Sequence, residues 1–217
     1  MKTHLTDIVL KDIISCHQIR NKRVLDLLIA HYFSNLSSLH SYNARKNAFG
    51  LSIDIVTDYT CALSEAFIRF EIPWYHPNLK VQSRDPKTAY VIDSGLRRAA
   101  SRSAQHDSGK ILENLVFLEL KRKEAEVFYF KEKQEVDFVV TEDGKSVGAI
   151  QICASNLKDS VTKKCEIRAL FECMENLILK SSIIISLDRE ENIKIDSNRT
   201  IKVIPAHQWF LMPSKLI

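Results

Sequence analysis

Apolar residues recur at intervals of three and four through the first part of the chain and at intervals of two through the second. In “TDIVLKDII” Ile8, Val9 and Ile13 fall at helical spacing, and in “NKRVLDLLIAHYFSN” Val24, Leu25, Leu28 and Tyr32 do so before Asn35 ends the run. “SYNARKNAFGLSIDIVTDYTCALSEAF” predicts a helix, a turn at Gly50 and a second helix capped by Ser52. The stripe Ile53, Val56, Thr60, Leu63 and Phe67 marks the buried face of that second helix. Two strands, “FIRFEIPWY” and “TAYVIDS”, follow, joined by the polar stretch “HPNLKVQSRDPK”. A helix-turn-helix followed by two strands and a long hairpin predicts a winged helix.

Periodicity fails around “DSGLRRAASRSAQHDSGK”, and the domain boundary is placed near 104–107: a winged-helix domain over 1–105 and a second domain over 106–217. The second begins with a helix from Gly109 to about Lys123. Strands “EVFYF”, “EVDFVV” and “VGAIQICA” follow, then a helix “CEIRALFECMEN”, strands “SIIISL” and “IKVIP”, and a short segment “HQWFLM”. The order αβββαβ with additions predicts a small mixed sheet with helices on its faces, so the chain is α/β, or α+β taken whole.

One strand breaks its own pattern. In “QEVDFVV” Val136, Phe138 and Val140 share a face, and Glu135 and Asp137 share the other with Val139. Glu113 precedes Val116, Phe117 and Leu120 by three, four and seven residues, which puts an acid on an apolar stripe. In “AIQICA”, Gln151 and Cys153 lie on one face, opposite Ile150 and Ile152. A buried carboxylate is costly unless it is paired or holds a cation, so these positions from one helix and two strands are candidates for a shared polar site.

Charge and composition narrow the reading. The chain of 217 residues has a net charge of +4, with 14 basic against 9 acidic residues before position 107 and 17 against 18 from there on. A basic first half admits an acidic partner such as DNA. Yet Ser52 to Ala66 holds no Lys or Arg, while Asp54, Asp58 and Glu65 are acidic and oppose contact with phosphates through that helix. The basic residues of the expected wing, Lys80, Arg84 and Lys87, are the candidates for a nucleic-acid backbone. Five cysteines without a C-x-x-C pair point to a reducing compartment, hence the cytoplasm. No apolar run is long enough to span a membrane, and no secretory leader is expected at the start.

“GKILENLVFLEL”, “EVDFVV”, “GAIQICAS” and “CEIRAL”, in that order, resemble the C-terminal domain that follows the ATPase module in a large family of prokaryotic AAA-type ATPases. That domain resembles the PD-(D/E)XK restriction-endonuclease-like superfamily. The first half is similar to the winged-helix segment that the same family places between its ATPase and nuclease-like domains. The resemblance implies Glu113 and Asp137 as site acids, Gln151 at a third metal-site position, Cys153 at the place of the lysine and Glu166 as the acid of the following helix. It implies Mg2+ as cofactor, held by Glu113, Asp137 and Gln151, for phosphodiester cleavage. Two substitutions depart from the active pattern, because an amide stands for an acid and a thiol for a cation. Lys110, Lys131 and Lys133 are the alternative sources of positive charge. Weak or absent catalysis follows, with a protein-interaction or self-association module as the alternative. “DGKSVG” is read as a hairpin turn rather than a phosphate loop, since Val139 stands where the first glycine of that motif belongs. No ATP site is therefore expected in this chain, which begins where such an ATPase module would end.

Overall fold

A computed structural model describes residues 2–17, 19–84, 86–100, 107–155, 157 and 159–212. The chain divides into two compact units, one of Met1–Ile72 with Asp85–Asn114 and one of Pro73–Arg84 with Leu115–Ile217. Most of the boundary expected at 104–107 lies outside the described residues.

In the first unit, α1 (Lys2–Ile8) widens into a π-helical turn (Val9–Ile14), and α2 (Lys22–Ser34) starts at Asn21, whose side chain accepts from the N–H groups of Arg23 and Val24. Strand β1 (Ser38–His40) precedes α3 (Tyr42–Phe49), Gly50 turns the chain at φ 62°, and α4 (Ile53–Glu65) opens with Ser52 accepting from Ile55 N–H. Strands β2 (Arg69–Ile72) and β3 (Lys87–Val91) complete an antiparallel sheet in the order β1-β3-β2. Leu25, Leu28 and Phe33 of α2 pack with Leu63 of α4 and Val91 of β3, all fully buried. A short α6 (Arg97–Ala100) and the first turns of α7 (Ser108–Arg122) also belong here. Buried Asn114 of α7 prolongs β3: its Oδ1 accepts from Val91 N–H at 2.9 Å and its Nδ2 donates to Val91 O at 3.0 Å.

The link between β2 and β3 is not the open hairpin that the sequence predicts. Asn78 accepts from Lys80 N–H and starts the short helix α5 (Leu79–Arg84). The stretch before it adds to the second unit's sheet, with Tyr129 N–H donating to Pro73 O at 3.1 Å and Tyr75 N–H to Tyr129 O at 2.7 Å.

That sheet has six strands: β4 (Glu126–Lys131), β5 (Glu135–Glu142), β6 (Lys145–Cys153), β7 (Ser181–Ser186), β8 (Glu191–Lys194) and β9 (Thr200–Pro205). Their spatial order is β4-β5-β6-β7-β9-β8, with β6, β7 and β9 parallel and the remaining neighbours antiparallel. Asp143 and Gly144, at φ 49° and 74°, form the tight β5–β6 turn, since a two-residue hairpin favours left-handed backbone at both positions. Helix α8 (Ser160–Leu177) lays Ala169, Leu170, Cys173 and Met174 against Val136, Val139 and Ile184 of the sheet, and α9 (Ala206–Leu211) follows β9. The fold is thus a mixed α/β structure in which a helical part precedes a mixed-sheet domain, as the patterning predicts. Two strands escape the pattern, β1 and β8, which are only three and four residues long and largely polar.

Candidate functional site

The β5–β6 ladder runs from Glu142↔Lys145 to Phe138↔Ile150 with a bulge between Val140 and Thr141, and at its open end side chains take over from the backbone. Asp137 Oδ2 accepts from Ile152 N–H at 2.7 Å, and Asp137 N–H donates to Gln151 Oε1 at 3.2 Å. Each strand thereby supplies one polar side chain to the other's backbone. Along the acid face of β5 the environment deepens from exposed Glu135 through half-buried Asp137 to fully buried Val139.

Helix α8 sets Glu166 against this clasp. Glu166 is hydrogen-bonded by the Gln151 side chain; a carboxylate only accepts, so the Gln151 amide nitrogen is the donor. Gln151 therefore bridges Glu166 to the β5 backbone. Burial pushes the Asp137 carboxyl up to about 7; the Ile152 N–H works against this, and the charges of Glu166 and Glu135 add to it. Glu166 is raised by burial in the same way, with the Gln151 bond opposing. Cys153 is buried, its Sγ 3.3 Å from Ser155 Oγ, and burial raises its thiol above the ordinary range despite that contact. Asp137, Gln151, Cys153 and Glu166 thus form one acidic, thiol-bearing cluster.

Glu113 belongs to the first unit, where the Tyr90 hydroxyl donates to its Oε1 at 2.8 Å. Lys110 Nζ donates to Ser38 Oγ at 2.7 Å, Lys131 pairs with Glu135 at 3.2 Å, and Lys133 is exposed. Neither Lys131 nor Lys133 is among the charges that act on Asp137. Lys87 pairs with Glu71 at 2.7 Å, Lys80 is exposed on α5, and Arg84 ends that helix with its side chain outside the described residues. Among the described residues no group of three or more His, Cys, Asp or Glu side chains is arranged to hold a metal ion.

A second polar cluster went unread in the sequence. Arg69 of β2 is fully buried with its guanidinium 4.2 Å from the centre of the Tyr32 ring, and it pairs with Glu71 at 2.8 Å. Glu71 also receives Lys87 and the Tyr42 hydroxyl, the latter at 3.2 Å. Burial works against the Glu71 charge, but Arg69 and Lys87 prevail and hold its carboxyl below the usual range. His40 Nε2 faces Arg69, so it accepts, leaving Nδ1–H to donate to Lys87 O at 3.2 Å. Burial, then Arg69, lowers the His40 pKa to about 3. The signal available for this cluster was the alternation of Arg69 and Glu71 in an otherwise apolar strand.

The class that fold and site define is a two-part α/β protein whose second domain carries an acidic cluster at the open end of a β-hairpin. Residues 1–107 match a family described as a domain of unknown function (DUF8612), and residues 108–209 match another, also a domain of unknown function (DUF4143). An uncharacterized protein of Methanocaldococcus jannaschii, MJ1544, is 29% identical over 97% of this chain and 49% of its own length. The chain spans about half the length of that curated relative. No solved structure matches the chain.

Proposed function

We propose that the chain is the winged-helix and nuclease-like C-terminal region of a protein of the AAA-ATPase type, and that its nuclease-like site is catalytically silent. The order α2, β1, α3, α4, β2, β3 with the sheet β1-β3-β2 supports the winged helix. The order α7, β4, β5, β6, α8, β7 around a mixed sheet, with Asp137, Gln151 and Cys153 at one end of the β5–β6 pair, supports the nuclease-like domain. The greater length of the M. jannaschii relative leaves room for a further module of the ATPase kind.

The observation that carries the silence is the use to which Asp137 and Gln151 are put. Mg2+ takes near-octahedral oxygen ligands and is held chiefly by carboxylates and water. Here one Asp137 oxygen serves Ile152 N–H, the Gln151 oxygen serves Asp137 N–H, and the Gln151 nitrogen turns toward Glu166. These donors do not fit Mg2+. The neutral Cys153 thiol also offers no positive charge to an oxyanion, and among the described residues the charges that act on Asp137 are negative. Of the phosphate contacts expected of Lys80, Arg84 and Lys87, that of Lys87 competes with its pairing to Glu71.

The test is cleavage of single-stranded and duplex DNA with Mg2+ and with Mn2+. The expected result is no cleavage above a metal-free blank, together with destabilisation in Gln151→Glu that a second change, Cys153→Lys, relieves by adding a cation among three acids. Metal-dependent cleavage by the unaltered chain that disappears in Asp137→Ala would overturn the proposal.

A further inference from the structure

Helix α4 occupies the place where a winged helix reads DNA, and its solvent side has another character. Asp54, Asp58, Cys61 and Glu65 are exposed and spaced by four, three and four residues, which makes a single line down the helix. At about 1.5 Å of rise per residue that line is about 16 Å long. Glu65 is engaged by His17 at 3.6 Å and by the Cys61 thiol at 3.5 Å, whereas Asp54 and Asp58 have no partner among the described residues. No Lys or Arg lies between Ser52 and Ala66 to neutralise them.

Apolar side chains flank the acids at both ends. Of the stripe expected to be buried, Val56, Thr60 and Leu63 are buried, but Ile53 is 36% exposed and Phe67, just past the end of the helix, 67%; Ile55 is 36% exposed as well. Phe67 sits at φ 55°, a left-handed backbone that costs a residue with a Cβ about 1 kcal/mol and that glycine adopts freely. The Phe67 ring lies 6.4 Å from that of Phe70 and leaves most of its surface to solvent.

From the acid line and the exposed apolar side chains that flank it, we infer that the α4 face docks a basic segment of a partner protein that carries apolar side chains among its lysines and arginines. Charge complementarity selects this occupant. Duplex DNA would set phosphates against Asp54 and Asp58, and a purely apolar partner would bury two carboxylates without a counter-charge. Charges at the rim of such a contact act mainly on specificity and on rate, while Ile53, Ile55 and Phe67 supply the desolvated area. The inference does not depend on the silent nuclease site, and a cleavage result leaves it untouched.

The experiment uses the full chain and a fluorescent helical peptide with Lys or Arg at intervals of four, three and four and Leu on either side. A control peptide carries Gln for each basic residue. The expected result is saturable anisotropy that weakens as salt is raised, with no binding of the control. Asp54→Asn with Asp58→Asn lowers affinity on the order of fivefold, as two rim ion pairs imply. Phe67→Gly lowers affinity severalfold while the melting temperature holds or rises, which a merely structural Phe67 would not allow. The inference is overturned if the two peptides bind equally, if the double variant binds as the unaltered chain does, or if Phe67→Gly lowers stability without touching affinity. It is likewise overturned if light scattering shows a dimer that the double variant dissolves, which makes the occupant a second copy, or if a 20-base-pair duplex displaces the peptide from α4.

Discussion

Arg69 and Asp137 are both ionisable side chains withdrawn from water, one in each compact unit, and their surroundings treat them in opposite ways. Around Arg69 every charge has an answer: Glu71 takes Arg69, Lys87 and the Tyr42 hydroxyl, and Tyr32 lies under the guanidinium. Around Asp137 the charges that act among the described residues are those of Glu166 and Glu135, both of its own sign, and a backbone N–H compensates. The first arrangement keeps its groups ionised and His40 neutral, while the second drives a carboxyl toward its protonated form. A buried charge thus indicates stability in one unit and latent strain in the other, and what decides is the sign of the neighbours rather than the depth of burial.

The largest effect expected from breaking the compensated cluster is that of Arg69→Met. Removing one partner of a buried pair costs about 3–5 kcal/mol, because the other charge is left behind. Glu71 keeps Lys87 and some solvent, which places the expected loss near the lower end, about 3 kcal/mol by chemical denaturation. Adding Glu71→Leu returns more than half of the loss if the pair is the cause. A double variant as unstable as Arg69→Met alone would instead assign the effect to the packing of Arg69 on Tyr32.

Asp137→Asn should behave in the reverse sense. Asn keeps an oxygen for Ile152 N–H and cannot ionise. In the unaltered chain the folded carboxyl titrates at about 7, against an unfolded value near the ordinary 3.8. Between these values the folded state binds the extra proton, so stability falls as pH rises through that window, and the penalty is complete above it. Asp137→Asn is expected to match the unaltered chain near pH 4 and to exceed it by about 1–2 kcal/mol at pH 8, a discounted figure because Asp137 is only half-buried. Equal stability of the two at both pH values would show that Asp137 is ionised at no cost.

The first unit supplies the opposite slope. Burial lowers His40 to about 3 and His31 to about 4, from an ordinary 6.5. Below 6.5 the unfolded chain takes up protons that the folded chain refuses, so this stability is lost as pH falls toward 4. Asp137 and Glu166, both raised, slope the other way over the same window and offset part of the rise that the two histidines contribute between pH 4 and about 6.5. His40→Gln, which keeps a donor and an acceptor without titrating, is expected to flatten that rise by roughly half, measured as the melting temperature across the window.

How much of this was legible follows from the range of each signal. Ser52 as cap, Gly50 at the turn and Asp143-Gly144 at the hairpin are local, and each stands where its chemistry requires. Asp137, Gln151 and Cys153 could be placed on neighbouring strands by the tight turn and on their faces by alternation, but the bulge between Val140 and Thr141, which moves the pairing by one residue, had no sign in the sequence. The Arg69 cluster could not be placed, since Tyr32, His40, Tyr42 and Lys87 come from four different elements with no spacing to link them. Asn114 was overlooked beside Glu113, although it is the fully buried polar residue of that helix face. The connection 73–84 misled for a related reason: its prolines and charges read as a loop, and only the β4 edge of the other unit shows where it goes.

The smallest effect sharpens the comparison most cleanly. Tyr42→Phe removes one hydroxyl from the compensated cluster and leaves the ring in place. Burial, then the Glu71 charge, raises that hydroxyl to about 12, so it remains a donor to Glu71 at every pH at which the chain is folded. Its loss is expected to cost about 1 kcal/mol, the usual worth of one hydrogen bond to a partly solvated acceptor. The cost should be the same at pH 5 and at pH 9, because neither partner titrates in between. A Tyr42→Phe penalty that changed across that interval, as the gain from Asp137→Asn must, would mean that Glu71 is not held ionised by Arg69 and Lys87, and the contrast between the two clusters would fail at its first term.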